Sequence, residues 1–541
     1  MQDPRQDAGP RAHWYHPGEM VVVARVPRER AAAPPNMHAQ MHAALQSQAR
    51  GHLIDDHSLI RSFAFDAPGQ PKSLVFSFHK LANNASPRAV KDAVEAVHRQ
   101  LDSLSVDGVE VIGAMPHWHL RAHEGTVGGS PGSRPRPVYP DQVPAGWKYR
   151  YYQPVNTRFD LRDGQGPSDV QPVPVAVLDT RVDLESAREH GKQFQTEAGN
   201  EQLLETVDWI RQHSQDDPRY QQEFRQIAQH HGAPGQTLVG AEPDPYRMPD
   251  HALFVAGLIH GIAPRSPISL EPVLDELGVG DLSLLLLGLQ RVLSGKPERS
   301  PQIVNLSLGF LPHPARLPAA WFGLRRPHDR AYLHSQEMFD PERDERWVSG
   351  NRSEVGRTVD LLEQGLRELS TYLSLNNCLV IAAAGNDSLG QVDAHQARLQ
   401  PRLPARFNTV LGVAATTSNP RQPARYSNVG DERELGDHVA TFGGNASDAL
   451  EPEDGVIGIY AGEFPDQRPN ETGWAFWSGT SFATGIVSGI AANLWTAARR
   501  EQPNLHAASV LADLHAQATA FGPYVAALRT PAIEVRGRWG R

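Results

Sequence analysis

FWSGTSFATG, residues 476–485, leads directly into a run of small and apolar residues, IVSGIAANLWTAA. This composition predicts a closely packed helix that begins near Ser481. Unpaired backbone N–H groups at a helix N-terminus stabilise negative charge, which suits a nucleophilic serine beside a forming oxyanion. Serine is also a frequent helix cap with no chemical role. The stretch alone leaves both interpretations open.

The composition indicates a soluble, globular chain with more than one domain. Of its 541 residues, 40% are hydrophobic and 21% are charged. The net charge of −10 argues against nucleic acid as a partner, since a nucleic-acid surface is basic. The single cysteine, Cys378, excludes an intrachain disulfide, and its apolar surroundings predict a buried, inert thiol.

No segment of the sequence has the features of a membrane span or a signal peptide. The longest apolar run, residues 282–293, is shorter than the roughly 18 residues that a span requires, and it predicts a buried helix. The N-terminus has no apolar core of the kind found in export signals. We therefore expect a cytoplasmic protein without a membrane span.

The first 123 residues predict a small α+β domain of their own. Their strand and helix patterns follow the order β-α-β-β-α-β, which is typical of a ferredoxin-like fold. The patterns lie at residues 19–26 (strand), 36–50 (helix), 58–66 (strand), 73–81 (strand), 86–101 (helix) and 108–115 (strand). Residues 124–146 are rich in Gly, Pro and Ser and predict a linker.

Residues 147–541 predict an α/β domain with a doubly wound, mostly parallel sheet. Continuous apolar runs, typical of strands covered on both faces, lie at residues 173–180, 302–309, 378–387 and 409–417. Ligands bind beyond the carboxyl ends of such strands, so we expect Asp179, Ser307 and Asn386 to converge at one edge. Three segments interrupt the pattern and are interpreted as surface insertions and loops: residues 185–235, which are polar and helical, residues 311–353, and residues 430–475, which contain one short strand, VIGIY.

Three polar residues besides Ser481 are candidates for chemistry. His251 begins an apolar helical segment and could act as a base, although a histidine at a helix start is often ordinary. Asp179 ends a strand and could orient that imidazole, or it could be a turn residue. Asn386 follows a small-residue run and could donate to an oxyanion, or it could simply form a turn.

The order of these candidates, each in its own motif, resembles the subtilisin family of serine proteases. VAVLDTRVD, HALFVAG and SGTSFATG resemble the family's aspartate, histidine and serine motifs. IVNLSLG resembles the strand that lines the substrate cleft, and IAAAGND the oxyanion-hole segment. PARFNTVLGVAATT followed by ARYSNVG resembles the strand and turn beyond it. The resemblance covers about residues 165–500.

The resemblance implies a serine endopeptidase that hydrolyses proteins or peptides through an acyl-enzyme. Ser481 would be the nucleophile, His251 the base, Asp179 its orienting partner, and the Asn386 amide an oxyanion donor. The histidine argues against the sedolisins, which have a glutamate base. The resemblance implies a primary pocket between residues 308–309 and 382–384. The substrate-binding residues that it implies are Ser307, Leu308, Gly309, Ala383, Ala384 and Gly385.

Several residues depart from the family pattern without removing a catalytic atom. Arg181 and Phe310 replace glycines and are expected to narrow or alter the edge of the site. Residues 252–254, Ala-Leu-Phe, replace Gly-Thr-His. This change calls into question the packing of the helix and, with it, the orientation of the His251 ring. Gly485 replaces a proline. The alternative function is a catalytically silent protein-binding module, but such a module has no need for all four polar residues.

Two further expectations concern the N-terminal domain and metal ions. In element order, residues 1–123 resemble the propeptides that inhibit subtilisins, with residues 116–140 as the tail in the active site and the cleaved linker. The alternative is a permanent regulatory domain. No H-E-x-x-H or Cys/His spacing occurs, and HAQMH at residues 38–42 is interpreted as an exposed face. We expect no cofactor; family members often bind calcium, but the sequence indicates no site.

Overall fold

The computed structural model describes most of the chain in sixteen segments. These are residues 15–32, 62–81, 87–101, 108–122, 134–139, 149–151, 169–197, 199–214, 218–230, 247–310, 352–390, 398–428, 438–445, 455–522, 524–525 and 530–537, together with positions 39, 41, 42 and 45.

Strands and helices alternate through most of these segments. The strands are β1 (Tyr15–Pro27), β2 (Ser62–Phe65), β3 (Lys72–Lys80), β4 (Glu110–Ala122), β5 (Arg136–Pro137), β6 (Tyr149–Tyr151), β7 (Val175–Thr180), β8 (Ile268–Leu274), β9 (Val279–Asp281), β10 (Gln302–Leu306), β11 (Leu308–Phe310), β12 (Cys378–Ala383), β13 (Val410–Thr416), β14 (His438–Phe442), β15 (Val456–Ile459), β16 (Trp474–Trp477), β17 (Tyr524–Val525), β18 (Thr530–Pro531) and β19 (Val535–Gly537). The helices are α1 (Arg28–Ala31), α2 (Pro87–His98), α3 (Leu184–Glu197), α4 (Glu201–His213), α5 (Pro218–His230), α6 (His251–Ile262), α7 (Leu282–Ser294), α8 (Arg352–Leu375), α9 (Thr480–Glu501) and α10 (Ala507–Phe521).

The N-terminal strands form an antiparallel sheet in the order β4-β1-β3-β2. Helix α2 buries Val90, Ala93, Val94 and Val97, the apolar face that its sequence predicts. This arrangement agrees with the predicted ferredoxin-like order. Most of the predicted helix at residues 36–50 lies outside the described residues.

The central sheet is mostly parallel, as predicted. Strands β14, β13, β12, β10, β7 and β8 are neighbours in that order, and each pair is parallel. Residues of β7 and β12 are buried along their whole length because helices cover both faces. The mixed α/β architecture is therefore the predicted subtilisin-like fold.

Strand β4 joins the two sheets into one sheet of twelve strands. Its C-terminal part pairs with β9 on one side and with β11 on the other, antiparallel to both. The predicted strand at residues 108–115 was too short, since β4 runs to Ala122. The N-terminal sheet is thus anchored on the edge of the central sheet where the candidate residues lie.

Helices α6 and α9 pack closely beneath that edge. Gly489 of α9 lies against Ile262 of α6, where an added Cβ would come within 2.9 Å of the isoleucine Cβ. Gly485 likewise faces Val255, with 3.3 Å between the positions of an added Cβ and the Val255 carbonyl oxygen. Small residues at the contact let the two helices begin side by side, which brings their first residues to one site.

The interrupting segments have three different outcomes. Residues 185–235 contain helices α3, α4 and α5, in agreement with a helical insertion. Residues 311–351 lie outside the described residues. The interpretation of residues 430–475 as loops was partly wrong, because β14 extends the central sheet there and β16 pairs with the predicted strand β15. Within the described segments, none of the helices is long and apolar enough to cross a membrane.

Candidate active site

The end of β7 and the start of α6 bring Asp179 and His251 together. The His251 Nδ1 atom lies 2.7 Å from the Asp179 carboxylate, and both side chains are fully buried. A carboxylate only accepts hydrogen bonds, so Nδ1 carries the proton and Nε2 of the neutral ring holds the lone pair. Nε2 is buried and has no hydrogen-bond partner within the described part of the chain. The imidazole is therefore oriented as a base.

Two neighbouring side chains fix the start of α6. The Thr180 hydroxyl donates to the Pro249 carbonyl and accepts from the Ala252 N–H, both at 3.1 Å. The buried Asp250 carboxylate accepts from the backbone N–H groups of Ala461 and Gly462. Burial raises the pKa of Asp250, and these backbone hydrogen bonds oppose the rise. Sequence reasoning missed both residues, although each directly follows or precedes a motif residue.

Aromatic side chains enclose the other faces of the His251 ring. Trp477 approaches it edge to face, with 5.4 Å between ring centroids, and Phe482 lies at 5.5 Å. Phe254, one of the unusual residues after His251, packs on the Phe482 ring at 4.6 Å. Gly458 makes room for it, since an added Cβ would lie 2.6 Å from the Phe254 ring. The altered motif is thus accommodated while His251 keeps its contact with Asp179.

Ser481 lies in the first turn of α9, where the helix N-terminus is positive. Its hydroxyl donates to the Ser307 carbonyl at 3.1 Å. The Ser307 hydroxyl donates in return to the Ser481 carbonyl at 3.0 Å. This pair of hydrogen bonds fixes α9 against the junction of β10 and β11.

The Asn386 amide is held in one orientation beside Ser481. Its Oδ1 atom accepts from the Thr480 N–H at 3.0 Å and from the Thr480 hydroxyl at 2.9 Å. The two donors identify the oxygen end of the amide, so Nδ2 is the end that can donate elsewhere. Asn386 and Ser481 thus meet through the residue that precedes Ser481.

A polar network holds the turn that carries Asn386. Gly385 has φ +108°, and an added Cβ would lie 2.5 Å from Nδ2 of Asn428, so only glycine fits. Asn428 donates to the Ala384 carbonyl at 3.0 Å and to the Asp387 carboxylate at 2.9 Å. Arg402 pairs with the same carboxylate, with 2.8 Å between Nε and Oδ2. Asn428 lies in the quoted ARYSNVG segment and Arg402 lies outside the quoted motifs, but sequence reasoning assigned a role to neither.

Comparison with protein families identifies the chain. The model described as "Subtilase family" matches residues 171–519, which include all four candidate residues. The chain belongs to the subtilase family. It is accordingly a serine peptidase, and its substrates are peptides.

The subtilase resembles solved structures of peptidases at low sequence identity. One is described as a lanthipeptide protease, with 18% identity, coverage of 67% of this chain and 85% of that chain, and a TM-score of 0.40. Another is a cold-adapted subtilisin-like serine proteinase, with 18% identity, coverage of 74% and 97%, and a TM-score of 0.35. No curated protein matches the chain.

The predicted substrate-binding residues lie where two neighbouring strands of the subtilase end. Ser307 follows β10 and Leu308 and Gly309 begin β11, while Ala383 ends β12 and is followed by Ala384 and Gly385. Strands β10 and β12 are paired, with Leu306 opposite Ala382, so the two sets continue from adjacent points of the sheet. Arg181 is exposed, whereas Phe310 is buried and pairs with β4.

The end of β4 lies between β9 and β11. Ala122 is opposite Leu308, and Leu120 is opposite both Phe310 and Gly280. The Ala122 N–H also donates to the Gly278 carbonyl at 2.8 Å. An extended segment of the subtilase's own chain therefore runs antiparallel to β11, toward Ser307 and Ser481.

The remaining predicted residue, Cys378, is buried in β12. Burial raises the pKa of its thiol to about 11, and the nearby Lys296 ammonium opposes the rise. A thiol that is protonated at neutral pH is a poor nucleophile. The expectation of an unreactive core cysteine agrees with this environment.

Proposed function

We propose that this subtilase is an endopeptidase with Asp179, His251 and Ser481 as its catalytic triad. The observation that carries the proposal is the 2.7 Å contact between Asp179 and the His251 ring, made at the edge where α9 presents Ser481. Alternative roles as a cap or turn account for each residue alone. They do not account for a buried carboxylate and imidazole that meet where Phe482, the residue after Ser481, packs against the imidazole ring.

The proposed reaction is acyl transfer in two steps. His251 Nε2 takes the proton of the Ser481 hydroxyl as Oγ attacks the substrate carbonyl carbon. The proton then passes to the leaving amine, and the acyl group stays on Ser481 until water, activated by His251, releases it. Asp179 stabilises the imidazolium that forms. The Asn386 amide and the Ser481 N–H donate to the oxyanion.

Ser481 must turn from Ser307 toward His251 before it reacts. A substrate residue opposite Ser307 can donate its own N–H to the Ser307 carbonyl, which now accepts from the Ser481 hydroxyl. Substrate binding would thereby release the hydroxyl for His251. Catalytic hydrogen bonds often form only when substrate binds, so the present rotamer is compatible with this mechanism.

We also propose that residues 1–123 form an inhibitory propeptide and residues 147–541 the catalytic domain. Ala122 is opposite Leu308, and β4 runs from there toward Ser307, whose carbonyl accepts from the Ser481 hydroxyl. Within the expected region, residues 116–140, we therefore expect cleavage shortly after Ala122. Before cleavage, the end of β4 would block the site; afterwards the domain could remain bound as a regulator.

The test of the triad is labelling of the full chain with a fluorophosphonate probe. We expect one adduct, mapped by peptide mass spectrometry to Ser481, and its loss in Ser481→Ala and in His251→Ala. Ser509, an exposed serine of α10, provides the control, since Ser509→Ala should label like wild type. A folded chain without any adduct after its N-terminal segment has been removed would support the silent binding module instead.

A further inference from the structure

A cluster of histidines and one aspartate, none of them a triad residue, lies where the N-terminal sheet meets the peptidase. We propose that His16, His117 and Asp281 bind a Zn²⁺ ion that ties the two parts together. His16 belongs to β1 and His117 to β4, while Asp281 ends β9 and caps helix α7. One potential ligand atom from each lies within 4.8 Å of the other two, and all three side chains are buried.

The distances within the cluster suit one small cation. The His16 Nε2 and Asp281 Oδ2 atoms are 3.1 Å apart, and His117 Nε2 lies 3.4 Å from the other oxygen of the same carboxylate, Oδ1. Tetrahedral zinc with bonds of about 2.0–2.1 Å separates its ligand atoms by about 3.3 Å. The Ser283 hydroxyl and the Leu284 N–H already donate to Asp281 Oδ1, so Oδ2, which faces His16, is the proposed ligand atom.

Glu19 supplies the second contact that zinc-bound histidines usually have. Its carboxylate lies 2.7 Å from His117 Nδ1, on the side of the ring opposite Asp281. A metal-bound histidine commonly donates its other N–H to a carboxylate, which fixes the tautomer and strengthens the ligand. With the proton on Nδ1, the Nε2 lone pair of His117 is directed at the proposed ion.

The arrangement of charges in the cluster suits a cation. His117 has a carboxylate at each ring nitrogen, and a neutral imidazole can donate from only one of them. The His16 ring packs on the His117 ring, with 4.3 Å between ring centroids, and its Nε2 faces the same Asp281 carboxylate. A divalent cation satisfies both nitrogens with neutral rings, and it balances the charges of Asp281 and Glu19.

The ligand types indicate zinc rather than calcium or magnesium. Imidazole nitrogen with a single carboxylate suits Zn²⁺, whereas Ca²⁺ and Mg²⁺ prefer oxygen ligands. The fourth position would be taken by water or by His119, whose ring packs on His16 at 4.3 Å between centroids. The spacing of residues in the sequence did not indicate this metal site, because its ligands come from segments separated by more than a hundred residues.

The zinc site would hold the N-terminal sheet against the rest of the peptidase. His117 lies three residues before Leu120, where β4 enters the space between β9 and β11. A zinc ion there would hold β4 in place, and removing it would loosen the segment. This consequence rests on the proposed propeptide role, whereas the metal site itself does not.

The experiment measures Zn²⁺ bound to the full chain carrying Ser481→Ala, which keeps β4 attached. After dialysis against micromolar Zn²⁺, elemental analysis should give a single zinc ion per chain. Replacing zinc with Co²⁺ should give the visible absorption of a tetrahedral site. His16→Gln and His117→Gln should abolish both signals, and Glu19→Gln, which removes no ligand, should weaken binding about 10–100-fold.

Two matched variants make the result decisive. Asp281→Asn keeps a good cap for α7 but removes the anionic ligand, so it should lose zinc while the circular dichroism spectrum stays unchanged. His79→Gln removes a buried histidine that contacts His42 instead, with 3.3 Å between their Nδ1 atoms, and should bind zinc normally. No zinc binding, or binding lost only in His79→Gln, would overturn the proposal. Neither result depends on whether Ser481 is reactive.

Discussion

Ser307 and Ser481 exchange hydrogen bonds across the candidate active site, each hydroxyl donating to the other residue's carbonyl, at 3.0 and 3.1 Å. The Ser307 hydroxyl also lies 3.0 Å from the Asn305 side-chain oxygen. Ser307 thereby holds α9 in position through its hydroxyl, and its carbonyl accepts a hydrogen bond from the hydroxyl of the proposed nucleophile, Ser481. The two contacts have different consequences, because one involves a side chain that can be removed and the other a carbonyl that cannot.

Removing the Ser307 hydroxyl should destabilise the fold and slow the reaction of Ser481. Ser307→Ala leaves the buried Ser481 carbonyl without its side-chain donor, a loss of about 1–3 kcal/mol. Urea unfolding measures this loss by comparing the double variant Ser307→Ala, Ser481→Ala with Ser481→Ala alone, because Ser481→Ala keeps both chains uncleaved. Fluorophosphonate labelling of the Ser307→Ala single variant measures the reaction rate. Ser509→Ala, at an exposed position, is the control. If Ser307→Ala were as stable as Ser509→Ala, the structural role of the Ser307 hydroxyl would be contradicted.

Asn386 can be tested separately as a donor and as an acceptor. Asn386→Asp keeps an oxygen for the two Thr480 hydrogen bonds but removes the Nδ2 donor and adds negative charge at the proposed oxyanion. We expect a fall in kcat of at least about 10²–10³-fold, the loss found for one such donor in a subtilisin. Asn386→Ala removes both functions and should also lower the melting temperature. A peptide-hydrolysis rate near that of wild type in Asn386→Asp would exclude the donor role.

The register of β4 predicts the effect of a proline at Ala122. Ala122→Pro removes the N–H that donates to the Gly278 carbonyl and should weaken docking of the segment. Self-cleavage, followed by intact mass over time, should slow several-fold, about the effect of losing one hydrogen bond of roughly 1 kcal/mol. Ala122→Ser keeps the N–H and is the matched control. Similar cleavage rates in the two variants would argue against this strand as the substrate segment.

Glu271 should make the stability of the fold depend on pH. Burial raises the pKa of this carboxyl from 4.5 to about 7, although the Arg291 guanidinium, 3.2 Å away, opposes the rise. The folded chain therefore binds the proton more tightly than the unfolded chain. Its contribution to stability is complete below pH 4.5 and is lost as the pH rises toward 7. Thermal melts from pH 4.5 to 8 should show this loss in wild type and a smaller loss in Glu271→Gln.

The sequence predicted those parts of the site that depend on local signals. Asp179 ends an apolar strand and His251 and Ser481 begin apolar helices, and each of these patterns is visible within a few residues. The contact between Asp179 and His251 could be expected only from the family resemblance, since it joins residues 72 positions apart. Asn428 was missed for the same reason, because its role depends on a turn 41 residues away.

Other features depended on packing between distant segments. Strand β14 lies in a Gly- and Asp-rich segment, where short strands have little pattern of their own, and pairing with β13 stabilises it. The extension of β4 to Ala122 requires β9 and β11, which follow it by more than 150 residues. Phe254 was expected to disturb the orientation of His251, because nothing near it in the sequence indicates that Gly458 provides the space for its ring.

The intact mass of the purified chain tests the central claim most directly, namely that the end of β4 lies in the site as a substrate of Ser481. Wild type should separate into two fragments, with the larger beginning shortly after Ala122, while Ser481→Ala should keep its full mass under the same conditions. Cleavage at the same bond in Ser481→Ala, or an uncut wild type in which Ser481 reacts with a fluorophosphonate, would contradict the account.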